Sequence, residues 1–129
     1  MKSSGIWSTN LVLFVLLFML GIILLCGSSW FTKSPSLVLV ARNGDTNQLK
    51  RLILAGRSVD ETFGTARRTA LMIAARAGNE NVVRILLDQG AQVTATDING
   101  KSAIDFALEN AHTNIALMLR TKLSSNGVR

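Results

Sequence analysis

A chain that matches itself every 33 to 34 residues is confined to few architectures, because each unit is too small to bury an apolar face alone and must bury it against the next. Displaced by 34 residues, Leu37 falls on Leu71, Ala41-Arg42 on Ala75-Arg76 and Gly44 on Gly78. The match continues with Leu52-Ile53 on Leu86-Leu87, Gly56 on Gly90 and Val59 on Val93. Displaced by 33, Thr69-Ala70-Leu71 falls on Ser102-Ala103-Ile104, Ala74 on Ala107, Val82 on Ile115 and Leu86 on Leu119. Three copies follow one another.

Inside a copy the spacing is helical. Leu71, Ala74 and Ala75 form an i, i+3, i+4 stripe on a short first helix, and the alanines allow a close neighbour. Gly78 is placed to stop that helix, since a left-handed C-terminal cap suits glycine. Asn79 is expected to cap a second helix with core face Val82, Val83, Leu86 and Leu87, which Gly90 ends. Asp97-Ile98-Asn99-Gly100 then reads as a projecting turn.

These residues resemble the ankyrin repeat. Thr69-Ala70-Leu71-Met72-Ile73-Ala74-Ala75-Arg76-Ala77-Gly78-Asn79 is similar to the inner-helix signature of that family. Val82 to Ala91 is similar to its outer helix and following turn. The resemblance implies an all-α, ankyrin-repeat solenoid of about three helix-turn-helix repeats over residues 36–123, L-shaped, with hairpin-like tips along one edge. Residues 124–129 are left as a C-terminal tail. Departures from the pattern are Leu117, standing where Arg84 and Lys50 stand in the earlier copies, and Ala111, standing in place of the capping glycine. Asp60 to Arg68 carries an extra residue and lacks the Asp-x-x-Gly turn, so the first hairpin is expected to be irregular.

Ahead of the array the composition changes. Between Lys2 and Lys33 the only ionisable side chain is Cys26, and Leu11 to Cys26 is apolar except for Gly21. A helix apolar on every face for this length has no place in a water-soluble core. Trp7 and Trp30 bracket the run, roughly 35 Å apart at helical rise, slightly more than a bilayer's hydrocarbon core. A single transmembrane helix or signal-anchor is predicted at residues 11–31, after a tail of residues 1–10 and before a linker of residues 32–35. Cys26-Gly27-Ser28-Ser29 leaves a cleaved secretory signal open, and Leu24-Leu25-Cys26-Gly27 leaves lipidation of Cys26 open. The flanking charges nearly balance under the positive-inside rule. A single-pass membrane location with an extracytoplasmic array is expected, the cytoplasmic side being the alternative.

Composition excludes several classes. Charged residues are 17% and hydrophobic residues 48%, far from a disordered chain. One cysteine and one histidine exclude an intrachain disulfide framework and a multi-ligand zinc site. No metal and no cofactor is expected. From Arg42 onward twelve basic residues face eight acidic ones, a net +4 that favours acidic partners. No nucleic-acid ligand is expected.

Catalytic motifs fail on inspection. Ala95 to Ser102 fits a relaxed phosphate-loop pattern, but such a cradle needs a preceding strand in a parallel sheet, and Asp97 would face the phosphates. His112 has no serine or cysteine nucleophile to activate, and the resemblance gives its position a capping role. Carboxylates do not cluster. No enzyme activity is expected.

The informative surface feature is a column of charge. Arg42, Arg76 and Glu109 are equivalent positions near the ends of the three inner helices, and Arg67, Arg68 and Lys101 precede the second and third of them. The resemblance places these positions, with the tip residues Ile98 and Asn99, on the concave face that grips partners. Arg42, Arg67, Arg68, Arg76, Ile98, Asn99, Lys101 and Glu109 are therefore the candidate partner-binding residues. Lys50 and Arg84 form an outer column read as solvated. The expected function is a membrane-anchored protein-interaction module for an acidic or mixed-charge protein. Alternatives are a secreted or periplasmic ankyrin effector after signal removal, and an assembly subunit of a membrane complex that buries Leu117 with Ala116 and Met118.

Overall fold

The computed structural model describes residues 11–21 and 36–127. Contacts divide the chain into two units, residues 1–34 and 35–129, each described by itself. In the first unit, residues 11–21 form helix α1. Its apolar side chains from Leu11 to Leu20 are between 51% and 70% exposed, so no face of this helix is buried. Among the described residues no helix is long and apolar enough to cross a membrane. The transmembrane helix expected at residues 11–31 thus finds no support among these helices. Beyond residue 21 it lies outside the described residues, as do Trp7, Cys26 and Trp30.

The second unit is built from three helix pairs. The inner helices are α2 (Leu37–Asn43), α4 (Ala70–Ala77) and α6 (Ala103–Glu109), and α4 packs between the other two. The outer helices are α3 (Thr46–Leu54), α5 (Glu80–Asp88) and α7 (Thr113–Gly127). The helix α7 runs past Leu123, where the array was expected to end, through most of the expected tail.

The repeat spacing places its small residues where the helices meet. Ala41, Ala74, Ala75 and Ala107 are completely buried, which lets the inner helices approach closely, and Leu49, Val82, Val83, Leu86 and Leu119 fill the layer behind them. Burying one leucine side chain contributes roughly 1.5–3 kcal/mol. Each inner helix is followed by a left-handed residue. Gly44 and Gly78 have φ near +78° and return their N–H groups to Val40 and Ala74. Ala111 takes the same role at φ +59° without glycine's freedom.

Two features depart from expectation. The first hairpin, expected to be irregular, forms the ladder in this unit: β1 (Thr62–Phe63) pairs antiparallel with β2 (Arg68–Thr69). Gly64 and Arg67 both take positive φ, and this closes the four-residue turn despite the missing Asp-x-x-Gly. The second hairpin has only the bridge Thr96 to Ser102. Asn79 stands at the N-terminus of α5 but makes no side-chain cap there. Its amide reaches back to the preceding repeat, donating to the carbonyls of Ala41 and Arg42 at 2.8 Å each.

Candidate partner-binding face

The hairpins are held in place by bonds between repeats. The N–H of Ile98 donates to the Ala66 carbonyl at 3.2 Å, and that of Gln92 donates to Asp60 Oδ1 at 2.9 Å. Within the second hairpin, Asp97 Oδ1 accepts from the N–H groups of Asn99 and Lys101 at 2.8 and 3.0 Å. Its Oδ2 is buried and lies 3.7 Å from Nε of Arg68, an ion pair too long to be a hydrogen bond. Burial raises the Asp97 pKa, but the two N–H donors and the Arg68 charge outweigh it, so the carboxyl sits below its ordinary 3.8.

This geometry sorts the eight candidate residues into two groups. Arg68 is half-buried, its guanidinium 5.3 Å from the centre of the Phe106 ring and its charge directed at Asp97. It joins the two hairpins, so its charge is partly engaged within the array. Lys101 Nζ stands 2.5 Å from Glu109 Oε1, so these two charges satisfy each other at the third repeat. Exposed groups of this kind contribute little to stability, but they leave the face locally neutral.

Arg42, Arg67 and Arg76 are exposed and, among the described residues, make no ion pair. Arg42 and Arg76 occupy the last turns of neighbouring inner helices, and Arg67 sits at φ +51° in the hairpin turn between β1 and β2. Ile98 is 62% exposed and Asn99 is exposed, both at the tip that Asp97 fixes. Among the eight candidates the cations without an ion pair thus belong to the first two repeats, while the third offers a paired Lys-Glu and an apolar tip.

Among the described residues the His112 ring makes no hydrogen bond to a helix end, the capping role that the resemblance gives its position. The imidazole lies over Gly78, where an added Cβ would come within 2.7 Å of Cε1. Ala116 is buried within the array and so is not free to serve an outside contact; Met118 is partly buried, and Leu117 is 64% exposed. An open groove of about 550 Å³ separates α5 from α7, with Arg84, Leu87, Met118 and Lys122 in its walls. Among the described residues no cluster of His, Cys, Asp and Glu could hold a metal ion.

Three stacked helix pairs with buried alanines between the inner helices and tips joined by a buried aspartate define a helical-repeat solenoid. A profile of ankyrin repeats in three copies matches residues 37–127, and the chain belongs to the ankyrin-repeat family. It is 34% identical over 86 residues to a transient receptor potential cation channel subfamily A member 1 homolog of Caenorhabditis elegans, covering 67% of this chain and 7% of that protein. It is 34% identical over 87 residues to a putative ankyrin repeat-containing protein of Treponema pallidum, covering 67% and 29%. It is 32% identical over 84 residues to a Notch-regulated ankyrin repeat-containing protein of Xenopus laevis, covering 63% and 74%. The chain therefore spans under a third of the first two relatives. Ankyrin repeats mark it as a protein-interaction module of a generally non-catalytic family.

Proposed function

We propose that the chain is a non-catalytic adaptor, tethered to a membrane through residues 11–31, that grips an acidic segment of a protein partner along its inner helices and hairpin tips. The observation that carries the binding face is the set Arg42, Arg67 and Arg76, exposed and without an ion pair among the described residues. Guanidinium groups suit carboxylates because their donors form a planar fork. Ile98 and Asn99 would add apolar and hydrogen-bonding contact at the tip. The tether rests on the uncharged run from Leu11 to Cys26 and on the exposed side chains of α1. A bilayer-held array meets a membrane-bound partner at raised effective concentration.

The test is a pull-down series across ionic strength with the full chain and with Arg42→Glu/Arg76→Glu. Capture that weakens with salt and is lost in the double variant supports the face; capture indifferent to both removes it. A reporter fused after Arg129, active on one side of a membrane only, decides between the extracytoplasmic and cytoplasmic placement. An intact mass separates the tether from a secreted effector whose leader has been removed.

A second reading, an assembly subunit, is favoured by Leu117, an exposed leucine where the earlier copies carry Arg84 and Lys50. Native mass in mild detergent decides it, since a lone monomer leaves Leu117 without a partner.

A further inference from the structure

The outer helices differ in a way that their common spacing exposes. On α5, Arg84 pairs with Glu80 at 2.6 Å, and Asp88 stands one turn further on. At the equivalent places of α3, Thr46 replaces Glu80, Leu54 replaces Asp88 and Arg51 replaces Ile85, while Lys50 keeps the basic charge. Both acids are gone from the face. Asn47, Lys50, Arg51 and Leu54 form an i, i+3, i+4, i+7 stripe in which every residue is exposed, and Leu54 at 86% is the most exposed large apolar residue described. Neither Lys50 nor Arg51 has an ion pair among the described residues.

Charge is distributed accordingly. From Leu37 to Arg57 four cations (Arg42, Lys50, Arg51 and Arg57) and one acid, Asp45, give a net +3, and since Arg57 pairs with Glu61 just beyond at 3.2 Å the uncompensated excess is +2. From Ala70 to Ala91, Arg76 and Arg84 balance Glu80 and Asp88, and from Ala103 to Leu123, Arg120 and Lys122 balance Asp105 and Glu109. The excess lies in the repeat that follows the apolar run. Ten residues, 27 to 36, separate Cys26 from Leu37, and a chain of that length spans at most about 35 Å. A basic helix face with a bare leucine, on so short a lead from an apolar segment, is complementary to an anionic lipid surface.

We propose that the exposed face of α3, through Lys50, Arg51 and Leu54, docks the first repeat on an anionic phospholipid bilayer. This rests on the tether proposed above. Lys50 and Arg51 meet the headgroup charge and Leu54 enters the interface. Docking fixes the orientation of the array and leaves the inner helices, with Arg42 and Arg76, free for a partner. Each basic side chain at such a surface raises the ratio of docked to undocked chain roughly fivefold, so two together contribute roughly 25-fold.

The experiment uses the full chain in nanodiscs of phosphatidylcholine alone or with phosphatidylserine. An environment-sensitive fluorophore is attached at Leu54→Cys or, as control, at Asn126→Cys, each in a Cys26→Ala background. The expected result is a blue shift at position 54 with phosphatidylserine only, removed by Lys50→Gln/Arg51→Gln, and an aqueous spectrum at position 126 throughout. A chain that enters the discs but shows no lipid-dependent shift at position 54 overturns the docking and leaves the tether standing. Equal shifts at both positions overturn the assignment to α3. A chain that does not enter the discs overturns the tether and the docking with it.

Discussion

Asn79 Nδ2 donates to the carbonyl of Ala41 at 2.8 Å, so the residue that opens one outer helix closes the inner helix of the repeat before it. The same amide also serves the Arg42 carbonyl. Terminal carbonyls of a helix have no partner within it, and here the next copy supplies one. Stability is thereby coupled between neighbours. Asn79→Ala leaves two carbonyls without their donor and is expected to cost about 1–3 kcal/mol, measured by urea denaturation. Asn79→Asp offers no N–H and is expected to do no better than alanine.

The left-handed helix ends make opposite predictions at equivalent positions. Ala111 holds φ +59°, a conformation that disfavours a side chain, so Ala111→Gly is expected to raise stability by about 0.5–1 kcal/mol. Gly78 holds φ +77° with the His112 ring against it, and Gly78→Ala brings a Cβ to 2.7 Å from Cε1. Both strain and contact oppose that change, and a loss of about 1–3 kcal/mol is expected. Thermal denaturation of the two variants side by side checks the pair.

Acid is expected to loosen the second hairpin and the start of α6. Asp97 is lowered from 3.8 for the reasons given above, and Asp105 is lowered first by the Ser102 hydroxyl and then by the Ser102 N–H. Groups whose folded pKa is depressed contribute stability above the unfolded value and lose it as pH falls through the folded one. Stability should therefore be level in this respect above pH 3.8 and fall below it. Asp97→Asn should reduce the steepness of that fall and lower the Tm at neutral pH, because Arg68 loses its buried counter-charge.

The core stripe is the least negotiable part. Leu86 is fully buried between helix pairs, and Leu86→Ala is expected to cost about 2–5 kcal/mol, enough to unfold a small array at modest denaturant. Leu54→Ala, on an 86% exposed side chain, should move the denaturation midpoint very little. Equal effects from the two would contradict the packing.

What could be read before the fold was known followed from local rules. Leu71, Ala74 and Ala75 announce a buried helix face through spacing, and Gly44 and Gly78 announce its end. The pairing of Arg68 with Asp97 is not legible in sequence, because Asp97 lies in the next hairpin and only the stacking of hairpins brings the two together. The reach of Asn79 to Ala41 is hidden for the same reason, since local sequence points it at its own helix. The hairpin at Thr62 to Thr69 lacks the turn signature, and its ladder depends on Arg67 accepting a positive φ that residue type does not advertise. The candidate face was legible as a column of charge. Which charges are engaged, Arg68 with Asp97 and Lys101 with Glu109, required the fold, and Arg42, Arg67 and Arg76 are what those pairs leave.

The central claim is that an open basic face selects acidic protein segments, and a random peptide library displayed on phage and selected against the full chain tests it directly. The account predicts enrichment of Asp- and Glu-rich peptides whose binding weakens with salt and disappears on Arg42→Glu/Arg76→Glu, a variant that still unfolds at the parental midpoint. Enriched peptides without acidic residues, or acidic ones that bind the folded double variant equally well, would contradict it.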